Sequence, residues 1–299
     1  MWTLGREPLR PFVDTHQLEQ GVATMFEHLD PQLGAYFALM RGEGLLDLEN
    51  RKNKAPGGYC TEFLIAKRPF IFMNAVGLHE DVQTLLHEGG HAFHVFESAH
   101  WPYIQQLQVG MEFNEVASTA MELLAAPYLP RDRGGFYSQA EAARARIEHL
   151  EGMLLFWPYM AVVDAFQHWV YENHDAASDP SNCDAQWAEL CQRFMPGVDW
   201  EDLEEVMKTG WQRKQHIPQT PFYYVEYGLA ALGAVQVWRN ALRDEAGAVA
   251  AYRRALSLGG TLPLPQLYAA AGARFAFDET TLAEAVEVIQ ETIAALQMA

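Results

Sequence analysis

The chain has 299 residues, 49% hydrophobic and 12% aromatic, which suffices for one large globular domain or two closely joined ones and argues against a disordered chain. Asp and Glu number 39 against 21 Lys and Arg, a formal charge of -18, so the average field repels a phosphate backbone and speaks against nucleic acid as a partner. The same charge suits neutral or cationic ligands such as peptides with a free amine, and it is also a common route to solubility.

Cys60, Cys183 and Cys191 are the only cysteines, and no C-x-x-C pair occurs, which fits a reducing compartment without a disulfide frame or a thiolate metal knot. The N-terminal stretch "MWTLGREPLRPFVDTHQ" lacks a basic region followed by an apolar core. No later run approaches the roughly 20 apolar residues that span a bilayer. A soluble cytoplasmic protein is the expectation.

In chain order, "HQLEQGVATMFEHL" and "PQLGAYFALMRGEGLL" carry apolar residues at helical intervals, with Pro31 suited to the first turn of the second. "ENRKNKAPGGYC" reads as a loop. "TEFLIAKRPFIFMNAVG" has β-branched and aromatic residues in short runs, which predict two short strands and the only convincing sheet. "HEDVQTLLHEGGHAFHVFES" is predicted helical, with acids at its start. A second helix begins near Glu112 or Phe113 and runs through "EVASTAMELLAAPYL". After "PRDRGG", Ser138 is a candidate cap for a long helix that Pro158 is expected to kink. The polar loop "DAASDPSNC" is a candidate lobe boundary near 174–184, and further helices follow around "AQWAELCQRF", "FYYVEYGLAALGAVQVWRNALRDE", "AGAVAAYRRALSL" and "DETTLAEAVEVIQETIAAL". There is no internal repeat or low-complexity linker. The fold class is therefore mainly α with a small sheet or hairpin next to the histidine-rich helix, organised as one domain over 1–299.

His87, Glu88 and His91 have the H-E-x-x-H spacing. Helical positions four apart differ by about 40° around the axis and about 6 Å along it, so the two imidazoles can converge on one ion, with Glu88 placed as a base for hydrolysis. The alternative is an amphipathic helix with a solvated polar face. Gly89 and Gly90 weigh against it, because each costs about 1 kcal/mol in a helix unless another backbone or a substrate comes close. His94 shares the face but lies about 10 Å along the axis from His87, too far for a common ion, so it either supports the site or packs in the core. A third ligand is expected from the next helix, where Glu112, Glu115 and Glu122 are on offer; Glu115 is preferred, with Glu122 reaching back to an imidazole N–H.

"LLHEGGHAFH", "FNEVASTAMELL", "AFQHWVY" and "HIPQTPFYYVEYGLAALGA", together with "LDLENRKNKAPGGYC" and "RPFIFMNAVGLHEDVQTLLHEGGHAFH", resemble the M3 metallopeptidases, specifically the oligoendopeptidase F branch. The resemblance runs along nearly the whole chain. It implies a zincin-like helical catalytic domain, one Zn²⁺ bound by His87, His91 and Glu115, and Glu88 as catalytic base. It also implies that His216, Tyr224 and Tyr227 hold the substrate carbonyl and the developing oxyanion, with Tyr223 as a neighbour favoured for the aromatic core. The implied substrates are short peptides, to which "RPFIFMN" is expected to offer a free edge strand.

Family members are usually about twice this length, and their N-terminal region forms the other wall of a deep channel. Either this sequence is the catalytic portion alone, or self-association or a partner replaces that wall. Two other readings stay open. A metallocarboxypeptidase would need a cation for the terminal carboxylate, for which Arg213 and Lys214 are the candidates. A non-catalytic zinc-stabilised module would need neither Glu88 nor the tyrosines.

Overall fold

The computed structural model describes residues 6–298. In chain order the elements are α1 (Thr15–Leu29), α2 (Pro31–Gly42), β1 (Leu46–Glu49), β2 (Tyr59–Phe63), β3 (Arg68–Ala75), α3 (His79–Ser98), α4 (Met111–Ala125) and α5 (Gln139–Glu172). Then come α6 (His174–Ala177), α7 (Pro180–Phe194), α8 (Glu204–Lys208), α9 (His216–Gln219), α10 (Tyr224–Ala241), α11 (Glu245–Ser257), α12 (Leu264–Ala270) and α13 (Glu279–Met298). Among the described residues no helix is long and apolar enough to cross a membrane.

The chain divides into two compact units, 1–149 with 230–299, and 150–229. The division falls inside α5 and α10, so the loop near 174–184 lies within the second unit and not at its margin.

The first unit begins with helices whose starts follow from their sequence. Asp14 accepts from the Gln17 N–H at 2.8 Å, and Asp30 accepts from Gln32 and Leu33 N–H groups with Pro31 at the first helical position, so N–H groups without a helical partner are satisfied. α2 ends at Gly42, short of the expected Leu46, because Gly44 takes a left-handed φ of +70 and releases the chain into β1. The sheet thus has three strands where two were expected, in the order β1-β3-β2. β1 runs parallel to β3 with Leu46 beside Ile71, and β2 runs antiparallel to β3 with Cys60 beside Ile71.

This corrects the expectation for "RPFIFMN". Both edges of β3 are already paired, so it has no free edge for a peptide, and the open edge next to the Gly57–Gly58 turn belongs to β2. Alternate residues Pro69, Ile71 and Met73 of β3 are buried, the period of two that lays one sheet face on the core. Lys54, its side chain only 2% exposed, gives its ammonium to Asp47 and to the Glu49 and Met73 carbonyls, and Asn74 donates to the Ala55 and Gly57 carbonyls. Together they bind the loop before β2 to the sheet.

α3 starts where Asp81 accepts from the Val76 and Leu78 N–H groups, both at 2.8 Å. Its buried Phe93 meets the Phe26 ring edge-on at 4.8 Å, and Phe26 in turn meets Phe37 at 5.2 Å. Ser138 and Glu141 cap α5 reciprocally, each accepting from the other's backbone N–H. Pro158 sits inside α5 without ending it.

The second unit is organised around a core of Val162, Val163, Phe166, Trp187, Leu190, Met207 and Tyr224. Trp157 donates to the Gly228 carbonyl at 3.2 Å within it.

Candidate metal centre

α3 and α4 approach closely because Gly90 of α3 faces the α4 backbone, while Gly89 faces a ring of α1. A Cβ on Gly90 would stand 2.4 Å from the Ala117 carbonyl oxygen and 2.6 Å from the Ser118 Cα, and one on Gly89 would stand 2.7 Å from the Phe26 ring. Backbone and ring, and not substrate, therefore account for the glycine pair in a helix. With the helix axes this near, a carboxylate on α4 reaches the imidazoles of α3.

His87 Nε2 lies 3.4 Å from Glu115 Oε2, and His91 Nε2 lies 3.7 Å from the same oxygen. One ligand atom from each residue falls within 4.8 Å of the others, the one such His/Cys/Asp/Glu group found among the described residues. Donors held about 2.0–2.1 Å from a tetrahedral ion stand about 3.3–3.4 Å apart, so the residues present fit a zinc-sized cation with little adjustment.

The electrostatics agree with that fit. Burial works to lower the His87 pKa, yet hydrogen bonds and charge from Glu115 and Glu122 raise it well above its ordinary value, a field that favours positive charge at this point. Burial likewise works to raise the Glu115 carboxyl, but His87, His91 and the Ser118 hydroxyl leave it lowered and ionised. His91 is pulled down to about 4, first by burial and then by the neighbouring His87 charge, which keeps its imidazole neutral and its lone pair available.

A layer of hydrogen bonds orients these groups. Glu122 Oε1 sits 2.6 Å from His87 Nδ1, so an Nδ1–H donated there leaves Nε2 as the metal-facing lone pair. Glu122 Oε2 lies 3.5 Å from His149 Nε2, at ion-pair distance without hydrogen-bond geometry. Ser118, fully buried, donates to Glu115 Oε2 at 3.0 Å. Ser118 lies one helical turn from Glu115, the spacing that brings the two side chains together on α4. His149 was missed, since nothing local in "RIEHLEG" marks it.

Glu88 is buried, and its pKa is pushed up to about 7, chiefly by burial and then by Glu115 and Glu122 acting against His87. It lines a cleft of about 330 Å³ with Gly58, Glu80, Gln83, Thr84, His87 and Glu122. A carboxyl that exchanges a proton near neutrality, next to two ligand imidazoles and open to a cleft, is equipped for general acid–base work. His94 is not among the converging donors. Its Nδ1 is 3.2 Å from Asn114 Oδ1, its ring meets Phe113, and burial lowers its pKa to about 4. Glu112 offers its backbone carbonyl to Tyr268 and also stands outside the cluster.

The remaining expected residues gather in the second unit as an aromatic cluster of their own. His216 stacks on Tyr223 with centroids 6.0 Å apart at 9°, and meets Tyr224 and Tyr227 edge-on at 5.2 and 5.9 Å. Tyr223 and Tyr224 exchange the surroundings expected of them. Tyr224 is 6% exposed, its ring belongs to the core, and its hydroxyl accepts from Lys214 Nζ at 3.2 Å; Tyr223 is half-buried against His216. The reason is that α10 begins at Tyr224, whose side chain turns inward, while Tyr223 still belongs to the preceding turn. Burial, and then the Lys214 charge, lowers the His216 pKa and keeps the ring neutral.

Comparison with known proteins sets this geometry in context. A comparison with curated proteins found no match. The chain is similar to Pz peptidase A solved with an inhibitor, at 33% identity and a TM-score of 0.88, over 97% of this chain and 50% of that one. It is also similar to a solved protein provisionally assigned as oligoendopeptidase F, at 36% identity and a TM-score of 0.86, over 95% of this chain and 49% of that one. A third, provisionally assigned in the same way and from Bacillus anthracis str. Ames, matches at 30% identity and a TM-score of 0.80, over 95% of this chain and 47% of that one. The chain thus spans about half the length of these structures. The sequence profile described as Peptidase family M3 matches residues 35–287, which include the two imidazoles, their carboxylate neighbours and the aromatic cluster, and the chain belongs to that peptidase family.

Proposed function

We propose that the chain is a zinc-dependent endopeptidase that hydrolyses bonds within short oligopeptides, with residues 1–299 acting as one catalytic domain in the cytoplasm. The observation that carries this reading is the convergence of His87, His91 and Glu115 donor atoms beside a cleft lined by Glu88. Zinc, when bound, supplies a Lewis acid that polarises a carbonyl and eases the deprotonation of water. Imidazole and carboxylate donors also accept cobalt or manganese.

The chain's own groups have these roles. Glu88, held near neutrality by its burial, takes the proton of the attacking water and passes it to the departing amine. Glu122 fixes the tautomer and direction of His87, and Ser118 fixes Glu115. His216, Tyr224 and Tyr227 serve the oxyanion, for which phenol and imidazole N–H and O–H groups are suited wherever water is excluded. The open edge of β2 pairs with an extended peptide backbone and so binds with little side-chain preference.

The test is cleavage of internally quenched peptides blocked at both ends, with and without chelator. Chelator-sensitive cleavage at an interior bond is the expected result. No cleavage of the blocked peptide while its counterpart with a free carboxylate loses single C-terminal residues, or turnover indifferent to chelator, would overturn the reading. Glu115→Ala should release the one bound zinc per chain; unchanged metal content would move the third ligand elsewhere.

A further inference from the structure

The segment "AFQHWVY" on α5 has no place in the chemistry above, yet its Gln167 is 1% exposed and makes a specific bond. Gln167 Oε1 accepts from the Phe222 backbone N–H at 2.7 Å, while Nε2 donates to the Val163 carbonyl of its own helix at 3.3 Å. Phe222 has a φ of +63, left-handed backbone that costs a bulky L-residue on the order of 1–3 kcal/mol and persists only when its surroundings hold it. The surroundings are one stretch of α5. Gln167 grips the backbone, and the rings of His168 and Tyr171 each lie 5.0 Å from the Phe222 ring.

Phe222 sits between α9, which begins with His216, and Tyr224, where α10 starts. Its left-handed turn sends Tyr223 back onto the His216 ring while Tyr224 enters the core. Returning φ to the ordinary negative region would rotate the following chain by roughly 120° about the N–Cα bond. The stack of Tyr223 on His216 and the inward course of Tyr224 would then be incompatible.

We infer that Gln167 is a positioning residue that holds the His216–Tyr223 pair in place through the left-handed backbone of Phe222. Its effect on turnover rests on the proposed role of His216, whereas the positioning itself does not. The experiment uses the full zinc-loaded chain with isotope-labelled histidine, the His216 ring signal being identified by its loss in His216→Asn. In Gln167→Met, which removes both bonds at similar volume, the signal should leave the position set by the Tyr223 ring, with kcat reduced about tenfold, KM within about twofold and zinc content unchanged. Gln167→Glu, which keeps the accepting oxygen, should restore most of the signal position. If Gln167→Met does not fold, Phe222→Pro removes the N–H and forbids the left-handed φ without touching the buried helix, and should displace the signal in the same way. A His216 signal unmoved in a folded Gln167→Met or in Phe222→Pro overturns the inference. A signal that moves while kcat stays at the wild-type value supports the positioning and instead removes His216 from the reaction.

Discussion

The His87–Glu115 centre stands on two regular helices in backbone contact, with every orienting bond made within a turn or two of a ligand. The His216 cluster hangs on a four-residue helix and a turn, and its course depends on a left-handed Phe222 held by a helix some fifty positions earlier. The first arrangement is rigid because regular secondary structure fixes Cβ directions in advance. The second is rigid only as far as its side-chain anchors reach. The chemistry proposed for them asks for both: a bound cation needs several donors fixed closely round one point, and an oxyanion needs a few donors set in advance toward the charge that develops.

Substitutions in the helix pair should therefore act as all-or-none losses, and those in the aromatic cluster as graded ones. The largest effect is expected for Glu88→Gln, which should retain one zinc per chain and lose about 10³–10⁴-fold in kcat in a quenched-peptide assay. Retained turnover would take Glu88 out of the mechanism. Tyr227→Phe should lower kcat by about 10–100-fold with little change in KM. Tyr224→Phe should do less to kcat and also lower thermal stability by about 1 kcal/mol, since Lys214 loses its acceptor. A change confined to KM in either would make that tyrosine a binding residue.

The closeness of α3 and α4 can be tested with glycine. Gly90→Ala should cost about 2–3 kcal/mol in denaturant unfolding and weaken zinc retention, because the added methyl meets backbone that cannot move alone. Gly152→Ala, inside α5 with nothing within 4 Å, should instead stabilise by up to about 1 kcal/mol. Equal effects at the two sites would show that the helix approach is not limiting.

A further effect, confined to acid pH, comes from buried imidazoles. His79 and His94 are each lowered to about 4, chiefly by burial. The unfolded chain takes up these protons from about pH 6.5 downward and the folded chain only near 4. Their stabilisation is therefore complete above pH 6.5 and is lost as pH falls toward 4, on the order of 2–3 kcal/mol each. Thermal unfolding in the presence of chelator, so that metal release does not contribute, should show this slope. His94→Gln should remove the share of the slope that His94 contributes.

The same contrast explains what could be read from the sequence. The convergence of His87, His91 and Glu115 was legible because helical periodicity fixes where such residues point, and the α3 boundaries follow from the apolar spacing and the acids of the first turn. β1 was not legible. "LDLE" is too short to show alternation, and its pairing with β3 is non-local, so the open edge was assigned to the wrong strand. The exchange between Tyr223 and Tyr224 was likewise hidden, because it depends on one backbone dihedral and on a glutamine far away in the chain. His149 was invisible for the same reason, since only packing brings it to Glu122.

The ammonium of Lys54 bears on access to the cleft. Its donors are taken by Asp47 and by carbonyls of the sheet, and the Phe72 ring lies 4.5 Å away, so amine reagents should reach it only when the strands part. The rim that carries Gly57 and Gly58 is accordingly latched from beneath, and its opening is coupled to a local melting of the sheet and not to the swing of a free loop.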